Sequence, residues 1–251
     1  MKTILLLPII QKKNVLFYNM TILFISDVHL NPIDNNNHKL FINFINYLPE
    51  NTKELYILGD LFEYWVDDKL DNIFLNNIKT ILSNLTKKIP VYFIHGNRDF
   101  LISQIFATQT NIKILPQFYK INLYNYNILL THGDYLVNDL LYCCFRAIIR
   151  NNITITLANM LPINPKLSFA TKLRAISKKN SKIYDVYQNL VERSLKTYNS
   201  TILIHGHTHQ PNIHNFTINN QKHSRIVLGS WEETAEILSF NQHEYKLETI
   251  K

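Results

Sequence analysis

The sequence predicts a layered α/β fold, and two patterns lead to that prediction. Short runs of apolar and β-branched residues, typical of buried strands, alternate with longer amphipathic stretches, typical of helices. Five of the apolar runs end directly in a polar motif that contains Asp, His or Asn. Because ligand sites in open α/β sheets gather at the carboxyl ends of strands, we expect these five motifs to share one cleft.

The five strands can be justified one by one from their composition. They are expected at 21–26 (TILFIS), 54–58 (ELYIL), 91–94 (VYFI, after Pro90), 127–131 (NILLT) and 201–204 (TILI). Helical periodicity is expected at 39–48, at 71–87 and from about 99. Between about 139 and 197 the pattern contains helices without strands, so we interpret this stretch as a helical lid inserted between two strands of the sheet.

The ends of the chain and its cysteines set further limits. Residues 1–19 hold a short apolar run without a small-residue cleavage site, and we predict a dispensable extension, with Met20 as an alternative start. One domain is expected over 20–251, and no other segment approaches the roughly 18 uncharged apolar residues of a membrane span. Cys143 and Cys144 are neighbours without a spaced partner, which favours a reducing compartment.

Positive charge is concentrated in one part of the chain. The formal net charge is +7, and residues 141–200 contain ten Lys and Arg against Asp185 and Glu192. This segment is therefore +8 and the remainder −1. A local positive block indicates an anionic partner such as phosphate, nucleic acid or an anionic membrane, with a solvated helical face as the alternative.

The polar motifs are weak individually and informative together. They are DVH at 27–29, GD at 59–60, GNRD at 96–99, HGD at 132–134 and HGH at 205–207. The chain has only five glycines, and four of them lie inside these motifs. Because glycine permits tight turns and close backbone approach, we expect these turns to aim the neighbouring side chains.

The residue types in the motifs indicate a metal centre. The seven candidate ligands are Asp27, His29, Asp60, Asn97, His132, His205 and His207. Mixed nitrogen and oxygen ligands suit Mn²⁺, Fe²⁺ or Zn²⁺ better than the all-oxygen sites of Mg²⁺ or Ca²⁺. Seven ligands exceed the need of one transition-metal ion, so we expect two ions that share one carboxylate, about 3.5–4 Å apart.

Longer strings around the motifs resemble the calcineurin-like metallophosphoesterase superfamily. They are ISDVHL, LYILGDLFEYWVDD, YFIHGNRDFL, THGDYL, RAISKKNSK with the following DVYQN, and IHGHTHQP. Within the superfamily, GDLFEYW and HGNRDF are most similar to the UDP-2,3-diacylglucosamine hydrolase family of lipid A biosynthesis. This resemblance implies a four-layer α/β/β/α sandwich with a helical lid, and two Mn²⁺ ions per chain.

The resemblance also implies a role for each motif residue. Three residues would bind the first ion, three the second, and one would bridge them: respectively Asp27, His29 and His207; Asn97, His132 and His205; and Asp60. A hydroxide shared by the ions would attack the α-phosphorus, and the planar guanidinium of Arg98 would bind the phosphate, with a surface salt bridge to Asp99 as the alternative. His209 would contact and orient the metal ligands without binding a metal ion itself.

The implied reaction is hydrolysis of the diphosphate of UDP-2,3-bis(3-hydroxyacyl)glucosamine to UMP and 2,3-diacylglucosamine 1-phosphate. The substrate contacts implied by the resemblance are Asn97, Arg98, Asp139, Ser177, Asn180, Lys182 and His205. Many superfamily members place a His where this chain has Arg98, to protonate an alkoxide leaving group. A phosphate monoester, with a second pKa of about 6, leaves without such help, so the residue favours a diphosphate substrate.

The partners follow from the same resemblance. Segment 140–161 is apolar apart from Arg146 and Arg150, and it is either an acyl-chain wall or membrane contact, or the packed core of the lid. We expect a monomer bound peripherally to the cytoplasmic face of the inner membrane, with a lipid-linked UDP-sugar and an anionic membrane surface as partners and no nucleic acid. The alternatives are a phosphoesterase for a soluble nucleotide or other phosphoester, a metal-free binding module, and nucleic-acid binding by the basic segment.

Overall fold

The computed structural model describes residues 20–33, 35–137, 140–179 and 185–250. The strands are β1 (Thr21–Ile25), β2 (Thr52–Ile57), β3 (Val91–Ile94), β4 (Lys113–Leu115), β5 (Tyr119–Leu123), β6 (Tyr126–Leu130), β7 (Ile202–His205), β8 (Asn212–Ile218), β9 (Gln221–Val227), β10 (Ala235–Phe240) and β11 (Tyr245–Ile250). The helices are α1 (Asn35–Asn46), α2 (Ile73–Thr86), α3 (Gln104–Thr110), α4 (Leu140–Ile149), α5 (Asn152–Met160), α6 (Ile163–Lys179) and α7 (Gln188–Tyr198). A short 3₁₀ helix spans Asp134–Leu136.

The strands form two sheets whose central strands are parallel. The first sheet has the order β11-β10-β1-β2-β3-β4, and the second has the order β5-β6-β7-β9-β8. Strands β1 to β4 run parallel to one another, as do β6, β7 and β9. The five polar motifs directly follow β1, β2, β3 and β6 or begin at the last residue of β7. The carboxyl ends of the parallel strands therefore deliver the motifs to one side of the molecule.

The core consists of three apolar layers. Between the sheets, Phe24 of β1 and Leu238 of β10 share a buried cluster with Ile204 of β7. On the outer face of the first sheet, a second buried cluster joins the strands to α1, α2 and α3. On the outer face of the second sheet, Val191 and Leu195 of α7 pack in a third cluster. The fold is thus a four-layer α/β/β/α sandwich, as predicted.

Strand β1 shows why the sequence folds in this way. Alternate residues of the strand, Ile22 and Phe24, face the second sheet, whereas Leu23 and Ile25 face the helices. A parallel strand that is covered on both faces needs apolar side chains at every position, and TILFI meets that requirement. The first buried polar side chains come immediately afterwards, at Ser26 and Asp27, where the strand has ended.

The described part of the region between β6 and β7 contains four α-helices, α4 to α7, and their contacts with the rest of the molecule differ. Helix α7 packs on the second sheet and forms its outer layer, although we predicted a lid over about 139–197. Arg150, directly after α4, pairs with Asp134 (3.0 Å), and Lys166 of α6 pairs with Asp67 (2.6 Å). In the portion of the chain that the structure covers, no helix combines the length and hydrophobicity needed to cross a bilayer. The predicted extension 1–19 lies outside the described residues.

Candidate active site

Two loops of the first sheet and one of the second meet around the Asp60 carboxylate. Asp27 and His29 lie in the loop after β1, and Asp60 follows β2. His29 Nε2 lies 3.6 Å from Asp60 Oδ2 and 3.7 Å from Asp27 Oδ1. His132 Nε2, from the loop after β6, lies 3.7 Å from the same Asp60 oxygen. Asp60 is therefore central to the site.

On one side of Asp60, Asp27 joins the loops after β1 and β7. Its Oδ2 accepts a hydrogen bond from the backbone N–H of His207 at 2.9 Å, and its Oδ1 lies 3.1 Å from His209 Nε2. The His29 and His209 rings lie side by side, with centroids 5.0 Å apart. One ligand atom from each of Asp27, His29 and His209 lies within 4.8 Å of the others, so these three residues could hold a metal ion.

On the other side of Asp60, Asn97 collects two imidazoles. Its Oδ1 lies 3.1 Å from His132 Nε2 and 2.9 Å from His207 Nδ1. The other nitrogen of His132, Nδ1, donates to the Leu58 carbonyl at 2.8 Å. That bond leaves a lone pair on His132 Nε2, directed into the site, which is the arrangement typical of metal-binding histidines.

His205 does not join this group, and the predicted ligand set is corrected accordingly. His205 is the last residue of β7, two residues after Leu203, so both side chains project from the face of the second sheet that α7 covers. Its Nδ1 donates to the Gly206 carbonyl at 2.8 Å, and the charged groups near it are Arg225 and Asp185. His209, which we expected behind the ligands, lies beside Asp27 instead. The alternation of side-chain direction along β7 was the sequence signal that could have excluded His205 in favour of His209.

The loops hold their polar side chains with an unusual backbone. Asp27, His29, Asp60, His207 and His209 all have φ between 52° and 70°, in the left-handed region. This conformation is rare for residues other than glycine and costs of order 1–3 kcal/mol at each position. Such strain is commonly concentrated at functional sites, where the surrounding structure enforces it.

Glycines allow the loops to approach one another closely, as the sequence predicted. A Cβ on Gly96 would lie 2.0 Å from Asp60 Oδ1, and one on Gly206 would lie 2.2 Å from Asp27 Oδ2. Gly59 and Gly133 likewise leave no space for a Cβ, because His132 and His205 come within 2.7 and 2.9 Å of it.

Asp99 is a buried residue of the site that the sequence analysis did not assign. Its carboxylate accepts hydrogen bonds from the backbone N–H of Leu61 at 2.7 Å and of Gly96 at 2.8 Å. It thereby links the loop after β2 to the loop after β3. Burial and the neighbouring Asp60 carboxylate raise the pKa of Asp99 to about 7. The GNRD motif contained this residue, but we considered it only as a surface partner of Arg98.

The electrostatics keep most of the imidazoles neutral and the ligand carboxylates ionised. Burial lowers the pKa of His29 and lowers that of His207 to about 4. Burial opposes ionisation of Asp60, but His132, His29 and Arg98 hold its pKa well below the usual range. Burial also disfavours the charged form of His132, but Asp60 and the other nearby carboxylates outweigh it and raise the pKa of His132.

These residues fit the binding of divalent cations. His29 Nε2 is buried between two carboxylates without a hydrogen-bond partner in the described part of the chain. On the other side, His132 Nε2 faces the oxygens of Asn97 and Asp60. A divalent cation between these groups would take the place of the proton that the nearby carboxylates favour on His132. The nitrogen and oxygen donors suit Mn²⁺, Fe²⁺ or Zn²⁺.

Arg98 lies beside the cluster, and it pairs with Glu63 rather than with Asp99. Its Nε is 3.2 Å from Asp60 Oδ2, and its Nη1 pairs with Glu63. Asp99, its neighbour in sequence, is turned into the protein to bind backbone N–H groups. The Arg98 side chain is only 15% exposed, and its guanidinium lies at the edge of the cluster, so it is close to any anion bound there.

The remaining predicted substrate contacts belong to the helical region. Asp139, Asn180 and Lys182 lie outside the described residues, and Ser177 is described only by its place in α6. Nearer the site, Arg150 Nη2 donates to the Gly96 carbonyl at 2.8 Å and also pairs with Asp134. Helix α4 therefore contacts the loops after β3 and β6. Part of the basic segment is thus neutralised within the protein.

The comparisons with known proteins point to one group of enzymes. The family model described as calcineurin-like phosphoesterase matches residues 20–211. The chain is 36% identical over 232 residues to a UDP-2,3-diacylglucosamine hydrolase of Vibrio atlanticus, covering 90% of this chain and 95% of the relative. It is 38% identical over 237 residues to the hydrolase of the same name from Photobacterium profundum, covering 92% and 97%. A solved archaeal phosphodiesterase, 14% identical, covers 92% of this chain and 100% of its own with a TM-score of 0.50, which supports the fold.

Proposed function

The chain belongs to the calcineurin-like phosphoesterases and, within them, to the family of the UDP-2,3-diacylglucosamine hydrolases, and we propose that it cleaves the diphosphate of UDP-2,3-bis(3-hydroxyacyl)glucosamine. The products are UMP and 2,3-diacylglucosamine 1-phosphate, formed by attack of water on the α-phosphorus. The observation that carries the proposal is the meeting of carboxylate, amide and imidazole ligand atoms around Asp60.

We propose that two Mn²⁺ ions occupy this cluster, with His209 in place of His205. Asp27, His29 and His209 would hold the first ion, Asn97, His132 and His207 would hold the second, and Asp60 would be shared. Bound divalent cations supply Lewis-acid activation of water and neutralise phosphoryl charge. This revised ligand set is supported by the distances of His209 and His207 from Asp27 and Asn97.

The side chains of this chain orient the reaction. The bond from His132 Nδ1 to the Leu58 carbonyl fixes the tautomer that presents Nε2. The Asp99 carboxylate keeps the loops after β2 and β3 in register by accepting hydrogen bonds from both. Arg98, beside Asp60, offers guanidinium N–H groups to a phosphoryl oxygen as charge develops. A diphosphate leaving group departs as a phosphate monoester and needs no protonating His at this position.

We further propose that α4, α5 and α6 form a lid that receives the acyl chains and contacts an anionic membrane surface. Helix α5 supports this proposal, because Ile153, Leu157, Met160 and the following Leu161 are 53–77% exposed. Their spacing places them on one face of the helix. The enzyme then works as a monomer bound peripherally at the cytoplasmic face of the inner membrane. Flotation with vesicles containing anionic lipid tests this, and Leu157→Glu is expected to abolish binding that the wild type shows.

The substrate is tested with metal-loaded protein and mass spectrometry of the products in ¹⁸O-labelled water. The label is expected in UMP, because water attacks the α-phosphorus. UDP-glucose and a dinucleoside polyphosphate serve as soluble comparisons. Equal rates on these soluble compounds would replace the lipid substrate with a soluble nucleotide, and unchanged activity of Asp60→Ala would reject the metal centre altogether.

A further inference from the structure

Arg98 is held by two carboxylates that differ in their relation to the metal centre. Its Nε lies 3.2 Å from Asp60 Oδ2, and its Nη1 is paired with the carboxylate of Glu63. The side chains of Arg98 and Glu63 are only 15% and 12% exposed, so this pair is shielded from most of the solvent. Because screening by water is weak there, the pair fixes the guanidinium more firmly than a surface salt bridge would.

The backbones of both residues are also fixed. The Arg98 N–H donates to Asp60 Oδ1 at 2.9 Å, and the Arg98 carbonyl accepts from the Trp65 N–H at 2.9 Å. The Glu63 N–H donates to the Leu30 carbonyl at 3.0 Å. Glu63 therefore projects from a segment that is attached to the loop after β1, and its carboxylate has a defined position relative to the site.

We infer that Glu63 is a positioning residue for the phosphate-binding guanidinium of Arg98, an inference that rests on the proposed function. Asp60 is shared with the cations, whereas Glu63 belongs to no predicted ligand set. Glu63 is consequently the partner that can hold Arg98 without competing for a metal ion. Because Nε and Nη1 are directed at carboxylates, Nη2 is the nitrogen best placed to donate a hydrogen bond to a phosphoryl oxygen.

This arrangement gives Glu63 an effect on catalysis that depends on Arg98. Without the carboxylate, the long arginine side chain gains rotamer freedom and its bond to substrate must be formed at an entropic cost. A Glu63→Ala enzyme is expected to lose about tenfold in kcat/KM, the size of one charge-assisted hydrogen bond. Glu63→Gln, which keeps a hydrogen-bond acceptor of the same shape, is expected to recover part of this loss.

A double-mutant cycle of Glu63→Ala with Arg98→Ala tests the inference on the metal-loaded enzyme. If Glu63 acts through Arg98, Glu63→Ala is nearly without effect in the Arg98→Ala background. If Glu63 only stabilises its loop, Glu63→Ala lowers kcat/KM by the same factor in both backgrounds, and the inference is wrong. Manganese content and the melting temperature are measured for each protein, and Glu192→Ala on α7 is the matched control with wild-type kinetics.

The experiment also separates this inference from the proposed function. Wild-type turnover of UDP-2,3-diacylglucosamine is measured first, and its absence would reject the proposed substrate. The cycle is then measured with bis(p-nitrophenyl) phosphate, an artificial phosphodiester. Additive losses of kcat/KM in the cycle, measured with either substrate, would reject the positioning role. A loss of manganese in Glu63→Gln would instead assign Glu63 to the metal centre.

Discussion

Gly96→Ala isolates the close approach between the loops after β2 and β3. The added Cβ would lie 2.0 Å from Asp60 Oδ1 and 2.3 Å from the Asp60 backbone nitrogen, whereas real Cβ contacts essentially never fall below 3.0 Å. The Asp60 carboxylate must therefore withdraw by about 1 Å, and the Asp60 backbone must move with it. Because Gly96 does not have a positive φ, alanine introduces no dihedral strain of its own. The substitution is purely a steric test of where Asp60 must be.

The expected result is a large loss of activity in a folded protein. A displacement of about 1 Å in a catalytic group costs on the order of 10²-fold in rate. We therefore expect kcat/KM for the lipid substrate to fall by about 100-fold, with reduced manganese content measured by plasma mass spectrometry. Circular dichroism is expected to remain close to that of the wild type, because the clash lies in a loop rather than in the core.

Gly229→Ala is the matched control for this substitution. A Cβ there would also be close, 2.5 Å from Glu236 Cγ, but the obstructing atom belongs to a partly exposed side chain that can rotate. Activity within about twofold of the wild type is expected, because the added methyl group meets Glu236 and Pro211 and none of the proposed metal ligands. Wild-type kinetics and full metal content in Gly96→Ala would show that Asp60 need not occupy its position, and the reasoning would be refuted.

Three further predictions follow from the site and its surroundings. His209→Ala is expected to lose about 100-fold or more in activity together with bound manganese, whereas His205→Ala, which removes only a supporting hydrogen bond, is expected to lose about tenfold; equal manganese loss in both would contradict the revised ligand set. Burial lowers the pKa of His205 to about 3, so its folded state resists protonation and metal-free protein is expected to lose stability as pH falls below about 6.5. A melting temperature recorded between pH 7.5 and 5 is expected to fall less steeply in His205→Asn, and an unchanged slope would contradict this. Lys166→Met breaks the ion pair with Asp67 and is expected to raise KM for the lipid substrate several-fold without affecting bis(p-nitrophenyl) phosphate, whereas Lys172→Met on the exposed side of α6 is expected to change neither.

The sequence predicted the elements that carry the motifs because their signal is local. Runs such as TILFIS and VYFI are too apolar and too β-branched to be stable except as buried parallel strands, and strands were found there. Strands β4, β5 and β8 to β11 were not predicted. In β8 and β11 much of one face is exposed, so their apolar signal is weak, and pairing with neighbouring strands decides their structure.

The candidate site was predicted less completely, for reasons that depend on three-dimensional contacts. The motif residues could be identified from types and spacing, but three histidines at positions 205, 207 and 209 offer alternative pairs. The choice depends on where β7 ends and on the left-handed turns that follow. The partners Glu63 and Asp99 are determined by contacts between loops far apart in sequence, and composition carries no signal for those contacts.

Five of the seven proposed metal ligands have left-handed backbone conformations, and this feature connects catalysis to folding. The unfolded chain does not have this backbone strain. The strain, roughly 1 kcal/mol or more for each residue, therefore lowers the free energy of unfolding. Cations that bind only the assembled loops shift the folding equilibrium in the opposite direction. Chelation of the metals would then weaken the whole domain as well as stop its chemistry, and the same ions that activate water would act as cross-links between the two sheets.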